Sequence, residues 1–457
     1  MQFRVAARPV IDRKLEVKAP TEPSYLRDII DDYYVRRKTV LWRGRHPLQG
    51  RSPRPGDIKL RSNDYLCLAA HPLVIESEIA ALRAGGHGDA VSRVWMHHER
   101  DVIRDFEQRI AALMMAEDAV LCSSGYTANV GLVQSFASQG SPVFLDMKAH
   151  ISLHEGVRSA GADPYLFRHN DPESLDRILA AHGPGLVAVD ALYSTDGDVA
   201  PLPELVEVCE RHGAALIVDE THSFGAQGAG GAGLVVEAGL AERVHFRTIG
   251  LSKAVASRGG LIVCSKRNAE YFRYESLPAI FSTSVMQHEV AGFDAVLDIL
   301  ENEGWRRTTL QENHAYLKLG LDRLGYNVET CKKQIIALEA GDICQTTKLR
   351  DALESRGVFG AIFFPPATPA KRCLIRFTVN CGLTREQLDR VIQVCSDIRE
   401  EVGMAEWRST RRKARDAAKS ATELEAGMPL FASSRRHTTK RHSDRKLNCE
   451  GGSNVHF

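Results

Sequence analysis

The chain has no run approaching the roughly 20 consecutive apolar residues that a membrane-spanning helix needs. Its opening stretch, MQFRVAARPVIDRKLEVKAP, is charged every few positions and lacks the apolar block of a secretory signal. Metal-binding cysteine patterns are missing too. The ten cysteines (Cys67, Cys122, Cys209, Cys264, Cys331, Cys344, Cys373, Cys381, Cys395, Cys449) form no C-x-x-C pair and no zinc-ligand spacing. They read as reduced thiols of a cytoplasmic protein, with Cys122 a small buried hydrophobe rather than a nucleophile. No sign of charge dominates: Lys+Arg number 59 and Asp+Glu 58, for a net charge of +1. That balance excludes a wholly basic nucleic-acid binder and an acidic disordered chain. Internal repeats are also lacking.

What is present suits a large globular α/β protein. Of 457 residues, 44% are hydrophobic and 26% charged, so most of the chain can bury a core. Residues 1–60, polar and Arg-rich, read as an N-terminal arm with one helix around Leu26–Arg37. From 61 to 285, short apolar runs alternate with helical patterns such as Val102–Leu113 and Leu202–His212, the signature of a mostly parallel sheet in a large domain. The predicted strands are Ala119–Cys122, Pro142–Leu145, Leu186–Val189, Ala215–Val218, His245–Thr248 and Leu261–Cys264. From 286 to 403 a long helix, Glu289–Glu303, leads into a smaller α+β C-terminal domain, with strands near Gln334–Leu338, Val358–Phe364 and Leu374–Val379. Residues 404–457 read as a basic, disordered tail, a solvated extension rather than a nucleic-acid or membrane contact. Without that tail, residues 1–403 are acidic by about five charges.

In an open α/β sheet, ligands sit beyond the carboxyl ends of the strands. The first strand runs into Ser123-Ser124-Gly125-Tyr126 and a helical segment, Thr127–Phe136, a combination that can hold an anion on free backbone amides. Another ends in Asp219-Glu-Thr-His222, which could be a metal pair, a catalytic dyad or plain surface. A third leads to Gly250-Leu-Ser-Lys253, whose lysine could equally be a solvated loop residue. A fourth offers Asp190 and Tyr193-Ser194-Thr-Asp-Gly-Asp198. Together, in this order, the set fits pyridoxal phosphate chemistry. That cofactor needs a lysine for its Schiff base, a carboxylate for the ring nitrogen and a cradle for the phosphate.

The runs Ser62-Asn-Asp-Tyr-Leu-Cys-Leu68, Ser124-Gly-Tyr-Thr-Ala-Asn129, Ala149-His-Ile-Ser152, Ser194-Thr-Asp-Gly-Asp198, Val218-Asp-Glu-Thr-His222 and Ser252-Lys253 ahead of Gly259-Gly260 resemble the α-oxoamine synthases. These are fold-type-I pyridoxal-phosphate transferases with a mostly parallel central sheet. The resemblance covers roughly residues 60–400. Within that group, Gly357-Val-Phe-Gly360, Pro366-Ala-Thr368 and Leu374-Ile-Arg376 look most like the quorum-sensing α-hydroxyketone autoinducer synthases. The resemblance implies these roles. Lys253 binds the cofactor and shuttles the Cα proton, Asp219 pairs with the ring nitrogen and His222 with the ring hydroxyl, and His150 stacks on the ring. Ser124 and the Gly125 and Tyr126 amides hold the phosphate, and Ser194 lies near the ring oxygen. Thr283 reaches a neighbouring subunit's phosphate, which implies a homodimer with shared active sites. Arg376 binds the amino-acid carboxylate, with Asn63, Tyr65 and Arg93 near the substrate.

Two departures from the family pattern stand out. Gly250 occupies the position of a hydroxyl residue three before the lysine, where Thr248 or Ser252 are the expected substitutes. The loop Gly86-His-Gly-Asp-Ala-Val-Ser-Arg93-Val-Trp-Met-His-His98 carries extra bulk and imidazoles. The reaction implied is condensation of a medium- or long-chain acyl-CoA with S-adenosylmethionine or 2-aminobutyrate. CoA is lost and then CO2, leaving an α-aminoketone precursor of an autoinducer. The alternatives are another α-oxoamine synthase, of the 8-amino-7-oxononanoate synthase, 2-amino-3-ketobutyrate ligase or serine palmitoyltransferase type, and a non-catalytic cofactor-binding regulator.

Overall fold

Residues 20–89, 91–96 and 101–415 are described by a computed structural model. Within them the chain forms two compact units, divided between Gly50 and Arg51. In the first, α1 (Ser24–Asp32) continues as a wider, π-type stretch, Tyr33–Leu41. Its apolar residues Leu26, Ile29, Ile30 and Tyr33 recur at helical spacing and are exposed.

The second unit holds eleven strands. They are β1 (Ile58–Leu60), β2 (Asp118–Cys122), β3 (Pro142–Asp146), β4 (Asp163–Phe167), β5 (Leu186–Asp190), β6 (Ala215–Asp219), β7 (Phe246–Gly250), β8 (Gly260–Cys264), β9 (Ile335–Gly341), β10 (Val358–Phe363) and β11 (Cys373–Thr378). A seven-stranded sheet has the order β2-β8-β7-β6-β5-β3-β4. From β4 to β7 neighbours run parallel, whereas β8 is antiparallel to both β7 and β2. Side chains alternate between its two faces. Phe144, Val187, Val189, Leu216 and Val218 pack toward the helix Leu202–His212. Val143, Leu145, Ala188 and Ile217 pack on the other side with α4 (Gly125–Phe136) and α5 (Ile151–Ala160). Burial on both faces is why these strands read as unbroken apolar runs, each large side chain contributing about 1.5–3 kcal/mol.

A four-stranded sheet, β1-β10-β11-β9, forms the smaller layer. Its strand β1 falls within residues 1–60, expected to be an arm with one helix, yet Ile58 and Leu60 are buried and pair in parallel register with Val358 and Gly360. One continuous core runs from Ile58 through Phe293 and Phe377 to Trp407, across residue 285. The expected start of the tail at 404 is likewise corrected. Trp407 is 1% exposed, Ser409 Oγ donates to the Glu339 carbonyl at 2.6 Å, and Arg412 pairs with Glu339 at 3.1 Å. Burying an indole is worth on the order of 3–5 kcal/mol, which holds residues 404–415 on the body. The rest of the expected tail, 416–457, lies outside the described residues, as do Ala90, His97 and His98 of the Gly86–His98 loop and the two residues that follow it. No helix among the described residues is long and apolar enough to cross a membrane.

Candidate active site

Strand β2 and helix α4 are joined by a turn whose hydrogen bonds use up some amides and leave others. Thr127 N–H donates to Ser124 Oγ at 3.1 Å, and Ser124 N–H donates to Thr127 Oγ1 at 3.0 Å, a reciprocal cap. The first two helical amides, Gly125 and Tyr126, have no acceptor one turn back and remain for a ligand. Three glycines bring this turn onto the sheet. A Cβ on Gly125 would lie 2.6 Å from Gly250 Cα, and one on Gly260 would lie 2.2 Å from the Ser124 carbonyl carbon. No side chain fits at either place.

Beside this cradle, the ends of β5 and β6 set Asp190 and Asp219 in direct register. Asp219 Oδ1 accepts from Thr221 N–H at 2.9 Å, and its Oδ2 accepts from Asn129 Nδ2 at 2.7 Å. Asn129 Nδ2 also donates to Ser152 Oγ at 2.9 Å, and Ser152 Oγ lies 2.6 Å from His150 Nδ1. The Ser152 N–H donates to the same nitrogen at 3.3 Å, so His150 Nδ1 is an acceptor. A buried chain thus runs from the Asp219 carboxyl to the His150 ring. The His150 N–H donates to Asp190 Oδ1 at 3.0 Å. Burial, and then the charge of Asp219, push the Asp190 carboxyl well above the usual range.

The motif Ser62-Asn-Asp-Tyr-Leu66 folds as a tight turn, with Tyr65 N–H donating to the Asn63 carbonyl at 2.9 Å. Asp64 caps the amides of Leu68 and Ala69 at 2.7 and 3.0 Å. Tyr65 Oη shares a 2.6 Å hydrogen bond with His222 Nδ1. Asn63 Oδ1 accepts from Arg376 Nη2 at 3.0 Å. Arg376, on β11, also donates through Nη1 to the Ser194 carbonyl at 2.6 Å and lies over the Phe363 ring at 4.6 Å. Its Nε is buried without a partner. His222 is held well below its ordinary pKa, first by burial and then by the charges of Lys253, Arg376 and His150, so its ring is neutral. Burial and Arg376 push the Lys253 ammonium down, and Asp219 opposes them.

The structure therefore brings Lys253, Asp219, His222, His150, Tyr65, Asn63, Ser194 and Arg376 together at the strand ends. Two expected members stand elsewhere. Arg93 forks onto Asp101 at 2.5 and 3.1 Å, and with the exposed Thr283 it lines a cavity of about 630 Å³ that also takes in Ser123 and Thr127. Neither expected substitute for the Gly250 hydroxyl is well placed. Thr248 is wholly buried with an unpartnered hydroxyl, and Ser252 is exposed on the turn. Cys122 is buried, with its thiol pushed up by burial. The sequence assigns no role to Asn129, Ser152, Asp190, Phe363 or Gln334, whose Nε2 donates to the His222 carbonyl at 2.6 Å. The first three stand in motifs already singled out, and only their contacts in the fold reveal what they hold. Among the described residues, no group of three or more His, Cys, Asp or Glu is placed to hold a metal ion.

Comparison with known proteins adds four findings. The sequence model of the family "Aminotransferase class I and II" matches residues 55–394. The CAI-1 autoinducer synthase of Vibrio campbellii is 34% identical over 373 residues, 82% of this chain and 92% of that one. The 8-amino-7-oxononanoate synthase of Mycolicibacterium vanbaalenii is 33% identical over 357 residues, 78% and 93% of the two chains. Among solved structures, a serine palmitoyltransferase from S. paucimobilis with bound PLP superimposes with a TM-score of 0.76. It is 30% identical and covers 83% of this chain and 99% of its own.

Proposed function

Since the chain belongs to the aminotransferase class I and II family, and within it to the α-oxoamine synthases, we propose that it makes an α-aminoketone precursor of an α-hydroxyketone autoinducer from an acyl-CoA and an α-amino acid. The acyl donor on this reading is a medium- or long-chain acyl-CoA, and the amino donor is S-adenosylmethionine or 2-aminobutyrate. The enzyme class, a pyridoxal-phosphate-dependent acyl-CoA:amino acid C-acyltransferase, follows from the family. The observation that carries the reading is the half-buried Lys253 set between the charges of Asp219 and Arg376, with one Arg376 nitrogen still lacking an acceptor.

The residues present fit the cofactor. Gly125 and Tyr126 offer two free amides for its phosphate, Asp219 is a buried carboxyl for its ring nitrogen, and His222 is a neutral imidazole for its ring hydroxyl. When bound, the cofactor supplies an electron sink that stabilises the carbanion formed at the amino acid's Cα. Lys253, its pKa lowered by burial, is the base that takes the Cα proton and later returns one. Arg376 grips the substrate carboxylate through its unpartnered Nε. His150, its ring oriented by Ser152, covers one face of the site. Ser124 caps the phosphate turn, and the Ser194 carbonyl helps to orient Arg376.

A second copy of the chain completes this proposal. Phe281, Tyr274 and Leu277 are exposed beside Thr283, an apolar surface suited to a homodimer in which Thr283 reaches the partner's phosphate cradle. The test of substrate identity is to incubate purified protein with decanoyl-CoA and each amino acid in turn, reading CoA release. S-adenosylmethionine or 2-aminobutyrate should release CoA fastest; faster release with glycine, alanine or serine would overturn the autoinducer reading. That outcome would favour the second reading, another α-oxoamine synthase, which the M. vanbaalenii and S. paucimobilis enzymes support.

A further inference from the structure

Gly250 ends β7 at the cradle, and its missing side chain has a neighbour in its place. A Cβ built there would lie 3.1 Å from Thr221 Cγ2, 3.4 Å from Thr221 Oγ1 and 3.7 Å from Gly125 Cα. The space a side chain at 250 would enter is therefore shared by the Thr221 side chain and the start of α4. Two hydrogen bonds fix Thr221. Its N–H donates to Asp219 Oδ1 at 2.9 Å, and its Oγ1 accepts from Gly250 N–H at 2.8 Å. The hydroxyl oxygen is thereby occupied from the β7 side, and its own proton is what remains to donate. Thr221 is half-buried just beyond the end of β6, and it borders the same space at position 250 as Gly125, the first residue of α4. Thr248 sits two residues back along the strand, roughly 6–7 Å deeper in the core, too far to serve.

We propose that the Thr221 hydroxyl donates a hydrogen bond to the phosphate of pyridoxal phosphate, supplying from the turn after β6 the hydroxyl that position 250 on β7 lacks. This rests on the cofactor reading above. A phosphate dianion is a strong acceptor, and loss of one hydrogen bond to a charged group weakens binding on the order of tenfold to a hundredfold.

The test titrates apoprotein with pyridoxal phosphate and, separately, with pyridoxal, which has the aldehyde and ring but no phosphate. Binding is followed by absorbance and by quenching of tryptophan fluorescence. Thr221→Ala is expected to weaken pyridoxal phosphate about tenfold or more while changing pyridoxal less than about twofold, and Thr221→Ser to bind both as wild type does. Loss of the acceptor for Gly250 N–H falls on both ligands alike, so the comparison removes it. In the Thr221→Ala background the space beside Gly250 is open, and adding Gly250→Ser should restore affinity for pyridoxal phosphate alone. If Thr221→Ala does not fold, the near-isosteric Thr221→Val gives the same comparison. Undiminished binding of pyridoxal phosphate by these variants, or equal weakening of both ligands, would overturn the proposal. Wild-type protein that takes up neither aldehyde would overturn the cofactor reading beneath it.

Discussion

Removing the Asn129 side chain tests whether the carboxyl of Asp219 and the ring of His150 are held by one connected unit. Asn129 is 1% exposed and gives both its amide hydrogens away, to Asp219 Oδ2 at 2.7 Å and Ser152 Oγ at 2.9 Å. Asn129→Ala leaves a buried carboxyl oxygen and a buried hydroxyl each short of a donor. The first loss costs about 1.5–3 kcal/mol and the second about 0.5–1.5 kcal/mol, so roughly 2–4 kcal/mol of stability should go. Against a typical total of about 5–15 kcal/mol that is a large share, visible as a lower urea midpoint by tryptophan fluorescence. Ser152→Ala breaks the next link, and the double variant should lose less than the sum of the singles by about 0.5–3 kcal/mol, because the two bonds share a hydroxyl. A loss below about 1 kcal/mol for Asn129→Ala, or strict additivity of the pair, would refute the connected chain.

Two further outcomes are expected. Lys253→Ala should abolish CoA release from any acyl-CoA and amino acid pair, and retained turnover would show that another base serves. His314 is 8% exposed with its Nε2 unpartnered, and burial, aided by Lys318, pushes its pKa down to about 4 from an ordinary 6.5. Between those values the unfolded chain binds a proton that the folded chain refuses, so this residue's share of stability falls as pH drops. The loss is about 2 kcal/mol from pH 7 to pH 5. Urea midpoints at the two pH values should converge in His314→Phe by that amount; an unchanged gap would place the acid sensitivity elsewhere.

How much of this was legible depended on whether a feature is local. Strands β3, β5 and β6 announce themselves because helices cover both their faces, so apolar residues run without interruption. Strand β4 was missed: Pro164 stands within it and most of its residues are exposed, as suits the sheet edge it occupies. Three-residue β1 owes its place to pairing with residues 300 positions later, a contact no local pattern encodes. The same holds at the site. Lys253, Asp219, His222 and His150 each follow a recognisable strand end, whereas Asp190 matters only because its register sets it against Asp219. Gly250 is a deficit by sequence alone, because the Thr221 side chain that stands beside it comes from the turn after β6, 29 residues earlier.

The tight turn at Asn63–Tyr65 has a consequence for substrate size. One end holds Arg376, proposed to grip the amino acid's carboxylate, and the other holds His222, proposed to face the cofactor ring. Because Tyr65 N–H closes onto the Asn63 carbonyl, the two residues that hold these grips are kept at the i to i+2 spacing of a closed turn. On the proposed roles of Arg376 and His222 the turn is a gauge: it sets how far the carboxylate stands from the ring whatever side chain the amino acid carries. Selection among amino acids must then be made by the walls around that fixed axis, while the axis stays common to every substrate the enzyme accepts.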